Sequence, residues 1–214
     1  MSSASLLRLA APNSERWRWC SPGSDGVRYG EGSVAEAGAA LAGQRVTLLL
    51  PGPDVLLTRV KVPARGRAKA AAAIPWALEE RLVHEVEALH FALGTADAEG
   101  NWPVAVIARD RLDGYLAALR SAGLEPHSIV AEPLALPQPA DDCWTVLEEA
   151  GRVTVRTGAH DGFGAEAELL EPLATTLAPP ESIERLRAPD APAVDWPHRL
   201  HTALDAAGAP RVLD

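Results

Sequence analysis

Cysteine is scarce: Cys20 and Cys143 are the only two in 214 residues, and neither has a Cys or His nearby in sequence. This argues against a disulfide framework or a short-spaced zinc cluster, and it predicts two free thiols in a reducing compartment, the cytoplasm. Long hydrophobic runs are missing too. The longest apolar stretches, residues 46–50 with 55–57 and the alanine-rich 70–78, fall far short of the roughly 20 residues that cross a bilayer. Residues 1–11 carry one charge, Arg8, inside the apolar stretch and not ahead of it, which is not the layout of a secretory signal. Positive charge is in deficit, with 20 Lys and Arg against 29 Asp and Glu for a net charge of −9. Such a chain is poorly suited to nucleic acid, whose binding is driven by cationic patches that release counterions. Glycine-rich phosphate loops are lacking as well: no Walker A or GxGxxG pattern occurs, and residues 158–164 read as a hairpin.

What is present fits a globular protein, with 47% hydrophobic and 23% charged residues and a length sufficient for a substantial core in one or two domains or one composite domain. The first fifty residues read as strands at 6–11, 16–20 and 26–29, a helix at 34–41 and a strand at 46–50. Turn residues Asn13-Ser14 and the segment 21–26 separate them, and Arg16-Trp17-Arg18-Trp19 alternates with the period of a half-buried strand, so Trp17 and Trp19 should face one core. A similar order returns later, with strands at 143–148 and 153–157, a corner at Glu149-Ala150-Gly151, a turn at 160–164, a helix at 167–177 and a strand at 183–186. Two such units flanking a middle segment predict a mixed α/β, actin-like architecture of duplicated ribonuclease H-like units. The expected division is 1–52, an inserted strand-helix-strand-helix subdomain at 53–126, and 127–214.

In the middle segment, Leu112, Tyr115, Leu116 and Leu119 recur at helical spacing, with Asp110 as the expected N-cap and Gly123 as the left-handed stop. Residues 89–93 and 104–108 are strand-like around a 95–101 loop. A strand at 55–63 leads through a basic linker to Ile74, Leu78, Leu82 and Val86, which recur every four residues, while Glu79, Glu80, His84, Glu85 and Glu87 take the other side. This predicts an acidic amphipathic helix with Pro75 near its start. Beyond 179, Pro180, Pro189, Pro192, Pro197 and Pro210 leave room for short elements only, among them a helix at 197–206. The ending Arg211-Val212-Leu213-Asp214, directly after a Gly-Ala-Pro turn, predicts that the chain was cut from a longer one.

The segment from Val55 to Gly94, with its Pro75-Trp76-Ala77-Leu78-Glu79-Glu80 core and the Leu89-His90-Phe91-Ala92-Leu93-Gly94 strand, resembles the L component of bacterial type II secretion systems, the GspL family. Downstream, Ala122-Gly123-Leu124, Leu134-Ala135-Leu136-Pro137, Trp144, Val155-Arg156-Thr157-Gly158 and Gly162-Phe163-Gly164 fit the same family. The likeness covers most of residues 46–164, and the two ends by order of elements. It implies the cytoplasmic, actin-like part of a protein that is anchored by one transmembrane helix outside this chain and works at the cytoplasmic face of the inner membrane. It further implies a scaffold that binds the N-terminal domain of the secretion ATPase, the E component, and ties it to the M, C and F components. Self-association into a homodimer is compatible with it.

The competing chemistry is nucleotide binding or hydrolysis, which an actin-like fold invites; a related pilus or cell-division scaffold is a third reading. Actin-like ATPases place an Asp-x-Gly hairpin after the first strand, because backbone N–H groups must approach phosphates and a carboxylate must organise Mg2+. Here residues 9–14 offer neither glycine nor carboxylate, and residues 148–152 offer an acid and a glycine without a second glycine or hydroxyls. His198 and His201 with Asp195 would need a further ligand to hold a metal. Ser128 and Ser182 sit in no nucleophile elbow, and Glu79-Glu80 and Asp141-Asp142 are adjacent residues that diverge in direction. No catalytic, cofactor or metal residues are therefore assigned. The candidate partner-binding residues are Glu79, Glu80, His84, Glu85 and Glu87, with Trp102 exposed in its loop or else folded back on the sheet.

Overall fold

The computed structural model describes residues 5–11, 13–24, 26–64, 66–177 and 179–187. The expected helix at 197–206 and the His198/His201 pair lie outside them. In chain order the elements are β1 (Ser5–Leu9), β2 (Trp17–Gly23), β3 (Gly26–Gly32), α1 (Val34–Leu41), β4 (Val46–Leu50), β5 (Leu56–Lys61), α2 (Arg67–Leu78), β6 (Leu89–Leu93), β7 (Asn101–Ala108) and α3 (Arg109–Ser121). They continue as β8 (Ser128–Ala131), α4 (Glu132–Ala135), β9 (Cys143–Glu149), β10 (Arg152–Arg156), β11 (Gly162–Glu166), α5 (Leu170–Leu177) and β12 (Ser182–Arg187).

The first sheet has the order β3-β2-β1-β4-β8. Its antiparallel part follows from the alternating Trp17-Arg18-Trp19 segment, which sets Leu7 opposite Trp19 and Leu9 opposite Trp17. Trp17 and Trp19 do meet the same core, Trp17 fully and Trp19 from its margin. Ser33 caps α1 in a reciprocal box: Glu36 N donates to Ser33 Oγ at 3.3 Å and Ser33 N donates to Glu36 Oε2 at 2.7 Å. The helix then returns the chain so that β4 runs parallel to β1. The second sheet, β11-β10-β9-β12, repeats this order, with two antiparallel neighbours and a parallel fourth strand reached through α5. Such a repetition is the duplicated ribonuclease H-like plan of an actin-like fold.

Two strands depart from the expected elements. β8 pairs parallel with β4, Leu48 opposite Ile129, and Thr47 Oγ1 meets Ser128 Oγ at 2.8 Å, so residues 128–131 complete the first sheet and do not open the second. A wholly buried Ser-Ile-Val-Ala segment needs cover on both faces, and beside β4 it has it: Ile129 and Ala131 join one core cluster and Val130 another. β11 starts within the expected 160–164 turn, because Phe163 packs edge-on against Trp144, ring centroids 5.6 Å apart, and pairs with Val155.

The middle sheet, β5-β7-β6, is covered by α2. Here the acidic helix expected from residue 74 is corrected. α2 occupies the alanine-rich stretch before it, with Ala70, Ile74 and Leu78 buried at four-residue spacing, and it ends in a 3-10 turn at Glu79–Arg81. Alanine has the highest helix propensity, whereas Leu82 is already extended (φ −106°, ψ 145°) as the chain turns back toward β6. Leu82 and Val86 are thus covered from a loop and a second 3-10 turn, Val86–Ala88. Pro75 lies inside α2, not at its start. The N-cap of α3 is Ala108; Asp110 sits in the first turn, accepting from Arg111 N at 2.7 Å.

Candidate functional site

Glu79 and Glu80 project from the turn that ends α2, and His84, Glu85 and Glu87 line the following loop, all exposed. Val83 stands among them at 97% exposure. Trp102 does not belong to this surface. It is the second residue of β7, 8% exposed, and packs into the cluster of Ile74, Leu78 and Val104 beneath α2. The loop before it is closed by Asp97, whose Oδ1 accepts from Glu99 N at 3.0 Å and Asn101 N at 2.8 Å, with Gly100 at φ +83°. The tryptophan that does reach solvent here is Trp76, 60% exposed on the outer face of α2. Its two-residue offset from Ile74, the core position of a 3.6-residue repeat, is the signal that places it outward.

The cleft between the β1–β2 hairpin and the β9–β10 hairpin is where an actin-like fold would receive phosphates. Here it is occupied by charge pairs. Arg8 on β1 donates to Glu149 of β9 and, at 3.4 Å, to Glu132 at the start of α4; Arg18 on β2 donates to the other oxygen of Glu149. Arg18 and Arg16 both reach Glu31 on β3, at 2.7 and 2.8 Å. Burial pushes the Glu132 carboxyl up, against the opposing pull of the Arg8 guanidinium. Burial also works against the charge of Arg8, but the two carboxylates outweigh it and hold the guanidinium raised. The cavity left beside Arg8, Ala11, Pro53, Glu132, Glu149 and Ala150 has a volume of about 40 Å³, on the scale of a few water molecules.

Two further contacts seal the junction. The turn after β4 meets β11 backbone to backbone: a Cβ on Gly52 would lie 2.8 Å from Gly164 N, and one on Gly164 would lie 2.6 Å from Pro53 Cδ. Only glycine permits so close an approach. Arg156 is fully buried with no carboxylate, and donates to four carbonyls: Leu134 at 3.1 Å, Leu136 at 2.6 Å, Gly158 at 3.0 Å and Ala159 at 2.7 Å. Burial lowers its pKa. Leu134-Ala135-Leu136-Pro137 and Val155-Arg156-Thr157-Gly158, distant in sequence, meet through this one guanidinium. Periodicity does not reveal it; a lone arginine ending an apolar strand was the available clue.

Beside the cleft, Tyr115 on α3 donates to Asp54, which also accepts from Arg111 at 2.9 Å, while Arg111 reaches Asn13 at 3.1 Å. Burial and Asp54 push the Tyr115 phenol up, so it stays a hydrogen-bond donor. Among the described residues no three His, Cys, Asp or Glu side chains are grouped to hold a metal, and no helix is long and apolar enough to cross a membrane.

The sequence model of type II secretion system protein L matches residues 6–202. Protein L of Dickeya chrysanthemi is 30% identical over 168 residues, covering 75% of this chain and 41% of that protein. The Pseudomonas aeruginosa protein is 33% identical over 143 residues, covering 63% and 37%. The chain thus spans about two-fifths of the length of these curated relatives. Among solved structures, the cytoplasmic domain of EpsL, an inner membrane component of the type II secretion system of Vibrio cholerae, superposes with a TM-score of 0.79 at 19% identity, covering 95% of this chain and 96% of that one. The PilM-PilN type IV pilus biogenesis complex follows with a TM-score of 0.55 at 17% identity, covering 94% and 68%. By the extent of the sequence match, the chain belongs to the type II secretion system protein L family.

Proposed function

We propose that this chain is the cytoplasmic, non-catalytic part of an inner-membrane scaffold. In this reading it recruits the secretion ATPase, the E component, through that enzyme's N-terminal domain and connects it to the M, C and F components. A transmembrane helix elsewhere in the protein holds it at the inner membrane. The observation that carries the docking surface is the exposed acidic segment Glu79, Glu80, His84, Glu85 and Glu87 around the fully projecting Val83. An acidic segment that also exposes an apolar side chain suits a basic partner surface, since complementary charge speeds and orients association. The charge-paired cleft around Arg8 and Glu149 favours this reading over nucleotide chemistry, because a phosphate would have to displace Glu149 from two guanidiniums.

Capture of the cognate ATPase N-terminal domain, run beside a calorimetric ATP titration, tests the proposal. The expected result is capture by the wild-type chain, weakened by the double reversal of Glu80 and Glu85 to Lys, and no heat with ATP. Unchanged capture by the double variant at low salt would remove the surface assignment, and ATP binding without capture would overturn the scaffold reading.

A further inference from the structure

β3 forms one edge of the first sheet, and the hydrogen-bond pattern fixes which of its backbone groups turn outward. Ala10 N donates to Arg16 O at 2.8 Å, one position beyond the last β1–β2 pair, Leu9 with Trp17. Backbone groups alternate in direction along an antiparallel strand, so Arg18 and Cys20 address β1, while Trp19 and Ser21 address β3. Pro22, which has no N–H to offer, falls in the set that faces away from β3. Gly30 and Arg28, opposite Trp19 and Ser21, therefore bond to β2, and the N–H and C=O of Val27 and Glu31 point away from the sheet. The register runs from Trp17 and Gly32 to Gly23 and Gly26 without a bulge, and β3 holds neither proline nor lysine. These devices for blunting an edge strand are missing from it.

The two faces of this edge differ in chemistry. Val27 is half-buried against Leu6 and Cys20, and Tyr29 on the same face is 40% exposed. Arg28 stands on the opposite face, its stem over Gly23 and its side chain exposed, with no carboxylate partner among the described residues. The carboxylates nearest the edge are already engaged: Glu31 accepts from Arg16 and Arg18, and Glu36 accepts from the N–H and Oγ of Ser33. We infer that β3 receives an extended acidic segment of a partner protein as an added strand, bonded through Val27 and Glu31, with an Asp or Glu opposite Arg28 and apolar residues opposite Val27 and Tyr29. Successive side chains of a strand alternate between faces, so the recognised segment reads apolar-acidic-apolar. The unpaired guanidinium, on a chain of net charge −9, selects the sign of the occupant. It also disfavours a second copy there, because edge-to-edge pairing would bring the same arginines together. An added strand of this size buries less than about 1,200 Å², so the association is weak and reversible. The acidic residues 79–87 border the middle sheet, not this edge.

Amide hydrogen exchange of the full 214-residue chain, read by NMR, tests this with a capped peptide of about eight residues that alternates valine and glutamate. In the free chain the amides of Val27 and Glu31 should exchange fast, and those of Arg28 and Gly30 should be protected. At about 1 mM peptide, Val27 and Glu31 should slow about tenfold. The same peptide methylated on its valine nitrogens, which are the ones that would face β3, should leave them fast, and so should a peptide that alternates valine and lysine. A fluorescence anisotropy titration from about 10 µM to about 1 mM should show Arg28→Glu weakening the valine-glutamate peptide about tenfold and gaining the valine-lysine peptide. Circular dichroism checks that this variant is folded. A wild-type chain that leaves the valine-glutamate peptide unbound, equal binding of the methylated or the lysine peptide, or an Arg28→Glu variant with unchanged preference would each overturn the inference.

Discussion

Glu149 and Glu132 both contact Arg8, yet they should differ sharply in what their loss costs. Glu149 accepts from Arg8 and Arg18 with its two oxygens, and its side chain is 21% exposed against 10% for Arg8. Glu149→Gln removes the nearer of the two carboxylate charges from the buried Arg8, while Glu132 stays at 3.4 Å. Breaking a buried pair costs about 3–5 kcal/mol; with the partial exposure of Glu149 and Arg18 the expected loss is about 2–3 kcal/mol. Glu132→Gln is different. Burial has raised the pKa of this carboxyl, so the fold favours its protonated form, and Arg8 keeps Glu149 when the charge is removed. The expected change at neutral pH is under about 1 kcal/mol. The pH dependence follows from the same direction of shift. A group whose folded pKa lies above its unfolded value adds stability at low pH and loses it as pH rises through the folded pKa. Wild type should lose this contribution on moving up from the ordinary carboxylate value of about 4.3, and Glu132→Gln should not. Urea unfolding of wild type and both variants, repeated at several pH values between 4 and neutrality, measures it. Equal destabilisation by the two substitutions, or an unchanged pH slope in Glu132→Gln, would refute the assignment of Glu149 as the principal partner of Arg8.

Arg156→Met keeps the bulk of the side chain but leaves the carbonyls of Leu134, Leu136, Gly158 and Ala159 without this donor. At about 1–3 kcal/mol for a buried polar group left unsatisfied, the urea midpoint should fall by the equivalent of at least about 3 kcal/mol, and a midpoint near wild type would show that the guanidinium is dispensable. Trp102→Ala should cost about 3–5 kcal/mol because the ring lies under α2, whereas Trp76→Ala should change stability by less than about 0.5 kcal/mol. Chemical denaturation compares them, and the reverse ranking would place the wrong tryptophan in the core.

The first sheet was largely legible because its information is local. Alternation in Arg16-Trp17-Arg18-Trp19 and turn residues around Asn13 and at 21–26 each act within a few positions. The junction was not, since Arg8 and Glu149 are separated by 141 residues and no periodicity couples them. α2 was misplaced because Ile74, Leu78, Leu82 and Val86 satisfy a four-residue spacing that a helix followed by two turns satisfies equally well. Trp102 was misread because Pro103, which cannot donate to a ladder, hides the start of β7; its carbonyl nevertheless accepts from Gly94 N at 2.8 Å. Exposure of Glu79, Glu80, Glu85 and Glu87 was legible because charged side chains are rarely buried without a partner.

The junction between the two sheets is built from the chain's own groups, and the kinds of contact answer to different physics. The ion pairs around Arg8 are partly screened and titratable. The Gly52–Gly164 approach is a backbone contact that neither salt nor pH addresses, and it fails only if a side chain is inserted. The Arg156 cage is a fixed charge held by carbonyl dipoles, with no carboxylate to protonate. A hinge that opens and closes on a ligand needs contacts that one event can release together. Here releasing the Arg8 network leaves the glycine contact and the Arg156 cage in place, so the two sheets stay in register. A fixed relation between the two sheets suits the scaffold proposed above better than a ligand-driven switch.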